Sequence, residues 1–316
     1  MKSRKLGSSG VELSIIGLGT WAHGGGEWAF SWGEQDDEES IATIKAAIEA
    51  GINWIDTAAI YGLGHSEEVL GRALKRLKQK PFIATKCSLP WDNSGEVGNN
   101  LRAKSVRAEC EASLRRLQLD TIDLYQIHWP APEEQIEEGW ATIAELIKEG
   151  KARYGGVSNF SADQIRRIQP IHPVASLQPP YSMLKRDVET GLLKFCAENK
   201  IGVIGYSPLQ KGLLTGKITA EYIAGMGNDD HRRRDPMFNE PALSVITKQV
   251  EALKRIAGRN KITPAQLAAA WVLRRPEVTA AIVGARKPEQ IKQMVPAADI
   301  IISPDDLTQI EKILVK

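Results

Sequence analysis

The 316 residues predict a single α/β domain spanning 1–316: a closed (β/α)8 TIM barrel with an N-terminal β-hairpin before it and extra C-terminal helices after it. Three observations carry the prediction. From residue 15 onward, short apolar runs alternate with amphipathic stretches, the rhythm of parallel βα units. Eight such runs occur, the number that closes a barrel in one chain of this size. No Gly-x-Gly-x-x-Gly follows any of them, which argues against an open dinucleotide-binding sheet.

Each element has a local reason. Residues 2–14 read as a hairpin turning at Gly7-Ser8-Ser9-Gly10. The apolar run 15–19 is the first barrel strand. Helix 37–50 follows, with Ile41, Ile44, Ala47 and Ile48 on one face. Strand 53–55 leads to Asp56, helix 67–77 follows, and strand 81–85 ends at Lys86. Helix 101–117 turns Val106, Cys110, Leu114 and Leu117 inward, and strand 122–127 then ends at His128. Helix 133–149 closes at Gly150 and leads to strand 152–157, with Ser158-Asn159 at its end. Helix 162–168, strand 174–177 ending at Gln178, helix 187–199 and strand 201–205 ending at Tyr206-Ser207 continue the pattern. A Gly- and charge-rich loop covers about 209–240. Helices 241–259 and 264–275, strand 280–283, and helices 288–295 and 304–315 complete the chain. A connection as long as 209–240 is expected to be functional or mobile. Its His231-Arg232-Arg233-Arg234 reads as a solvated basic cluster, and His23-Gly24-Gly25-Gly26 as a flexible first loop.

Composition narrows the function classes. The apolar fraction of 42% and charged fraction of 25% are those of an ordinary globular protein. A net charge of +2 leaves no electrostatic footprint for nucleic acid or an anionic membrane. Cys87, Cys110 and Cys196 are odd in number and form no Cys-x-x-Cys, which argues against a disulfide framework or a metal site. No apolar run approaches the ~18 residues of a membrane span, and the N-terminus lacks a signal-peptide pattern. The expectation is a cytoplasmic monomer acting on a small molecule.

The strand ends carry the chemistry. In a parallel α/β barrel, functional groups gather at the carboxyl ends of the strands. Asp56 and, five residues on, Tyr61 follow the second strand; Lys86 ends the third and His128 the fourth. A phenol is a weak acid near neutrality, with a reference pKa of about 10. An ammonium beside it is expected to lower that value, a carboxylate to hold the ammonium, and an imidazole to donate to a substrate oxygen. The set suits a carbonyl becoming an alcohol. None of the four can supply hydride, so a nicotinamide cofactor is implied.

These residues sit in motifs that resemble the aldo-keto reductases over essentially the whole length. The motifs are Gly17-Leu18-Gly19-Thr20-Trp21, Asp56-Thr57-Ala58-x-x-Tyr61-Gly62, Ala84-Thr85-Lys86, Asp123-Leu124-Tyr125-Gln126-Ile127-His128-Trp129-Pro130 and Gly156-Val157-Ser158-Asn159-Phe160. Gly212-Leu213-Leu214-Thr215-Gly216-Lys217 and Gly284-Ala285-Arg286-Lys287-Pro288 resemble the bacterial general-stress and inositol-type branch. The resemblance implies that Tyr61 is the proton donor, Lys86 its activator, Asp56 the holder of Lys86, and His128 the residue that orients the carbonyl. It implies NADPH/NADP+ as cofactor. Gly19, Thr20, Trp21 and Asp56 would contact the cofactor; Ser158, Asn159 and Gln178 would hold the nicotinamide amide and Tyr206 would stack on its ring. Ser207 and Pro208 would also bind the cofactor, Leu209, Gly212, Leu214 and Lys217 would line the pyrophosphate, and Arg232 would pack on the adenine, with Arg233 and Arg234 the alternatives that the register of this loop leaves open. Gly284, Arg286, Gln290 and Gln293 would meet the 2′-phosphate and adenine, with the phosphate at the start of the helix opened by Pro288. Gln293 and Met294 depart from the family's commoner Glu and Asn, which leaves dual cofactor use open.

Trp21, Trp28, Trp32, Trp91 and Trp129 fall in rim loops and are the candidate substrate pocket; Trp54, Trp140 and Trp271 fall in strand or helix patterns and read as core. The sequence stops just after its last helix, and the expectation is an open, tolerant site. Two other readings fit the same residues. One is a dehydrogenase oxidising a polyol or sugar alcohol; the other is an NADPH-binding regulatory protein resembling potassium-channel β subunits.

Overall fold

The computed structural model describes residues 1–314. Its strands and helices follow from local sequence. Strands β1 (Ser3–Lys5) and β2 (Glu12–Ser14) pair antiparallel, Arg4 opposite Leu13, and form the predicted hairpin. The barrel strands are β3 (Ile16–Gly19), β4 (Trp54–Asp56), β5 (Phe82–Cys87), β6 (Ile122–Ile127), β7 (Ala152–Ser158), β8 (Ser176–Gln178), β9 (Gly202–Gly205) and β10 (Val278–Gly284). They run parallel in the order β10-β3-β4-β5-β6-β7-β8-β9 and close where Val283 of β10 pairs with Leu18 of β3.

The helices are α1 (Asp37–Glu49), α2 (His65–Arg76), α3 (Ala103–Leu117), α4 (Ile136–Lys148), α5 (Ala162–Ile168), α6 (Leu192–Glu198), α7 (Ala220–Ala224), α8 (Ala242–Arg259), α9 (Pro264–Leu273), α10 (Pro288–Met294) and α11 (Pro304–Leu314). Capping explains several starts. Asp36 accepts from Glu39 N ahead of α1, and Ser161 and Thr263 form capping boxes with Gln164 and Gln266.

Alternation along the strands divides the molecule into an outer core and an inner one. Outward residues such as Ile55, Ile83, Tyr125 and Val157 pack under the helices, where Trp140 and Trp271 are also fully buried. Inward residues Trp54, Ala84, Leu124, Ile204 and Ala280 fill the barrel, and Leu6 and Leu13 of the hairpin plug its lower mouth. Gly7 lets the hairpin seat there. Its φ is +52°, and a Cβ would lie 2.5 Å from Lys200 O.

Two expectations change. Helix 187–199 is split: Asp187–Glu189 is a 3-10 turn, Gly191 takes a φ of +119°, and only α6 is α-helical. The split directs Glu189 toward Tyr181, Arg186 and Arg274, which all bond to it. Loop 209–240 is ordered by α7 and by 3-10 turns at Gln210–Thr215, His231–Arg234 and Pro236–Phe238. The last helix is described to Leu314, and Val315, its expected end, lies outside the described residues.

Candidate active site

The upper end of the barrel interior is polar. Asp56 ends β4, Lys86 sits on the same inner face of β5, and both are buried. Lys86 Nζ donates to Asp56 Oδ1 and Oδ2 at 2.5 and 2.7 Å, to Thr57 O at 2.8 Å, and to the Tyr61 hydroxyl at 3.4 Å. The Tyr61 and His128 rings lie edge to face, 5.9 Å between centroids. The four candidate residues, brought in by three strands, therefore converge at one mouth.

Burial dominates the electrostatics. It raises the Asp56 carboxyl and lowers the Lys86 ammonium, and their mutual attraction opposes both shifts. Burial, then the Lys86 charge, holds His128 well below the usual histidine range, so its imidazole is neutral at pH 7. The expectation of an acidified Tyr61 is not met. Burial, then the Asp56 and Tyr206 charges, raises its phenol well above 10.0. Lys86 makes its short hydrogen bonds to Asp56 and Thr57 and its longest to the phenol.

A hydrogen-bonded chain links this group to the far wall. Tyr206 donates to Asn159 Oδ1 at 3.0 Å, and Asn159 Nδ2 donates to His128 O and Ser158 Oγ. Ser158 Oγ donates to Gln178 O at 2.8 Å, and Gln178 Nε2 reaches Asp56 Oδ2 at 3.0 Å. An aromatic ring beside hydroxyl and amide groups is the donor set that a planar aromatic carboxamide takes, so this end fits a nicotinamide. Gln126, part of the His128 motif but without a role expected from sequence, lies under the chain. Its Nε2 is buried without a partner, and its Oε1 is 3.5 Å from Gln178 Nε2. Its position two residues before His128, hence on the same strand face, was the available signal. Gly19 and Gly284 end β3 and β10 at this mouth, and a Cβ on Gly284 would meet nothing within 4 Å.

Other candidates are placed differently from expectation. The Thr20 hydroxyl is fully buried, bonded to Asp56 O and Ser66 Oγ, and steadies β4 rather than facing the cavity. Leu214 is buried in the outer core, and its N–H, like that of Gly212, bonds to Leu209 O. Ser207 takes a φ of +55°, Pro208 is buried, and Lys217 is exposed. Met294 packs in the core, while Gln293 is exposed with its carbonyl bonded to Gln266.

The rim loops depart most from expectation. The first is not merely flexible. Trp21–Gly24 forms a 3-10 turn, and His23 is buried with Nε2 2.8 Å from Ala285 O, its pKa lowered to about 4 by burial. Gly24 packs against the chain after Tyr61; a Cβ there would lie 2.5 Å from Gly62 N. Nor is 231–234 a solvated cluster, because His231 and Arg232 are buried. His231 stacks on Trp21 at 4.7 Å and bonds to Ser31 O, and Trp21 stacks over Tyr61 at 6.0 Å. Arg232 is paired with Asp230 and lies 4.7 Å over the Trp32 ring. Trp28 and Trp91 join Tyr61 in a small apolar cluster, and Trp129 stands exposed at the edge. Chemistry-bearing His231 was missed because nothing in the local sequence of a long loop shows where it folds back.

Arg286 is held by the first rim loop. Its Nε donates to Gln35 Oε1 at 2.6 Å, Nη1 to Trp32 O at 3.1 Å, and Nη2 to Glu34 O. Gln290 Oε1 accepts from Arg286 N and Lys287 N, and α10 is only seven residues long. A cation able to meet a phosphate is present, and in this structure its bonds are internal.

Comparison with known proteins agrees with this geometry. The family model described as "Aldo/keto reductase family" matches residues 15–315. Aldo-keto reductase YhdN of Bacillus subtilis (strain 168) is 40% identical, covering 99% of this chain and 94% of that protein. The NADH-specific methylglyoxal reductase of Escherichia coli (strain K12) is 38% identical, covering 98% and 97%. Among solved structures, the glycerol dehydrogenase AKR11B4 from Gluconobacter oxydans superposes with a TM-score of 0.87 at 37% identity, covering 96% of this chain and 92% of that one. The chain belongs to the aldo/keto reductase family of oxidoreductases.

Proposed function

We propose that this family member reduces small aldehydes and ketones to alcohols with NADPH, using Tyr61 as the proton donor. The observation that carries the reading is the meeting of a phenol, an ammonium–carboxylate pair and a neutral imidazole at one barrel mouth. Ser158, Asn159 and Gln178 would hold the carboxamide of a nicotinamide and Tyr206 would lie on its ring, and the group when bound would supply the hydride. The chain's own groups handle the oxygen. Neutral His128 donates an N–H to the carbonyl oxygen and orients it. Tyr61 gives its proton to that oxygen as C=O becomes C–O, which leaves a phenolate. Lys86, 3.4 Å away, meets the phenolate with its charge, and Asp56 keeps Lys86 in place. One hydride and one proton are added, and the product is the alcohol.

NADPH is supported by the guanidinium of Arg286. The tryptophans around Tyr61, Trp21 foremost, support a pocket for the rest of the substrate. Two relatives are named for methylglyoxal and glycerol, and small oxygenated carbonyls are the first panel to assay. The raised Tyr61 phenol keeps the group in its proton-donating form at neutral pH, and the reverse reaction, alcohol oxidation, would start from the phenolate. Oxidation is expected to rise about tenfold per pH unit without levelling below the ordinary tyrosine value of 10.0. Reduction should stay flat through neutrality.

The deciding experiment is Tyr61→Phe. Turnover should fall by at least about a hundredfold, while NADPH still quenches tryptophan fluorescence as in the wild type. Wild-type turnover in the variant would remove Tyr61 from its role.

A further inference from the structure

The clasp between Arg286 and the first rim loop bears on cofactor choice, provided that Arg286 meets the 2′-phosphate as the proposed function has it. All three guanidinium nitrogens of Arg286 already hold loop oxygens: Nε on Gln35 Oε1, Nη1 on Trp32 O and Nη2 on Glu34 O. Gln35 returns a bond, its Nε2 donating to Arg286 O at 3.1 Å, so the backbone of 286 is pinned as well. A phosphate takes arginine through one edge of its planar fork. Each edge here includes a nitrogen committed to the loop. Lys287, next along, is turned to Glu39 at 3.4 Å.

We propose that Gln35 is a cofactor-specificity residue: with the carbonyls of Trp32 and Glu34 it competes with the 2′-phosphate of NADPH for Arg286. NADPH must take the guanidinium from the loop, whereas NADH carries only a 2′-hydroxyl and leaves the clasp closed. The free energy of the clasp therefore weakens NADPH binding and leaves NADH binding unaffected. The coupling is reciprocal, so NADPH binding loosens residues 32–35. Trp32 lies against Arg232 and His231, and His231 against Trp21, so the release extends toward the pocket beside Tyr61.

Two substitutions of opposite sign test this, with dissociation constants from calorimetry. Gln35→Ala removes both side-chain bonds to Arg286, and NADPH should bind about three- to tenfold tighter with NADH unchanged. Gln35→Glu gives Arg286 a charged partner, and NADPH should bind more weakly while NADH again stays unchanged. A merely structural Gln35 would move both cofactors in the same direction in both variants, which would overturn the proposal. Hydrogen exchange gives a second reading. Amides 29–36 should exchange faster with saturating NADPH than with saturating NADH, and equal rates would count against the clasp. Arg286→Ala separates the phosphate contact from the competition. If it leaves the NADPH-to-NADH affinity ratio unchanged, the phosphate contact falls and the competition with it. If it shifts the ratio while neither Gln35 variant does, only the competition falls.

Discussion

The two ends of the candidate site are built differently. At the Tyr61 end, Asp56, Lys86, Ser158 and Gln178 stand on barrel strands and are buried, and short hydrogen bonds fix them, between neighbouring strands for Lys86–Asp56 and Ser158–Gln178 and across the barrel for Gln178–Asp56. At the Arg286 end, the partners are loop carbonyls and one glutamine, and the bonding residues are up to 254 apart in sequence. The first end cannot rearrange without exposing a buried charge. The second can exchange a loop oxygen for a ligand oxygen. A rigid end for chemistry and an exchangeable end for cofactor choice follow from which groups ride on strands and which on loops.

The largest break in that contrast comes from Lys86→Met. It leaves the Asp56 carboxylate buried without its partner, and the loss should be about 3–5 kcal/mol by denaturant unfolding, together with loss of turnover. A loss under about 1 kcal/mol would mean that the pair is as replaceable as a surface ion pair.

Glu109 on α3 probes the support of the Tyr61 end. It accepts from Ser88 N at 3.0 Å, and Ser88 Oγ holds the backbone of Trp129, beside His128. Burial raises its pKa from 4.5 to about 7. A raised carboxyl contributes stability that is complete below 4.5 and lost as pH rises through about 7. Glu109→Gln cannot ionise, so its stability relative to wild type should climb by about 2–3 kcal/mol between those pH values. His23 and His231, lowered to about 4 by burial, lose stability as pH falls instead. They are common to both proteins and cancel in the difference. A pH-independent difference would place Glu109 in solvent.

A smaller effect, about 1–3 kcal/mol, is expected for Gly24→Ala. The new methyl would press on Gly62 N and Tyr61 C at 2.5 and 2.8 Å. Because this is where the first rim loop touches the backbone that presents Tyr61, turnover should drop more than cofactor affinity. An equal drop in both would show that the rim and the strand end do not meet there.

Sequence alone determined the barrel, the hairpin before it, and which residues end its strands. Apolar alternation has a period of two on a strand, so a run that stops at Asp56, Lys86 or His128 also says which face that residue takes. The buried Trp54 was legible from its strand and the buried Trp140 and Trp271 from their helical patterns, and the strand ends made the convergence of the four catalytic candidates legible. Only the tertiary structure decided the rest. That Lys86 bonds Asp56 and Thr57 more closely than Tyr61, and that burial raises the phenol, depends on distances and packing that no spacing encodes. That Gln35 holds Arg286 from 251 residues away, and that His231 leaves a basic run to stack on Trp21, depends on loops with no periodicity to read. Regular backbone repeats its geometry and announces itself in sequence. Loop geometry is set by whatever it closes against, and that surface exists only once the chain has folded.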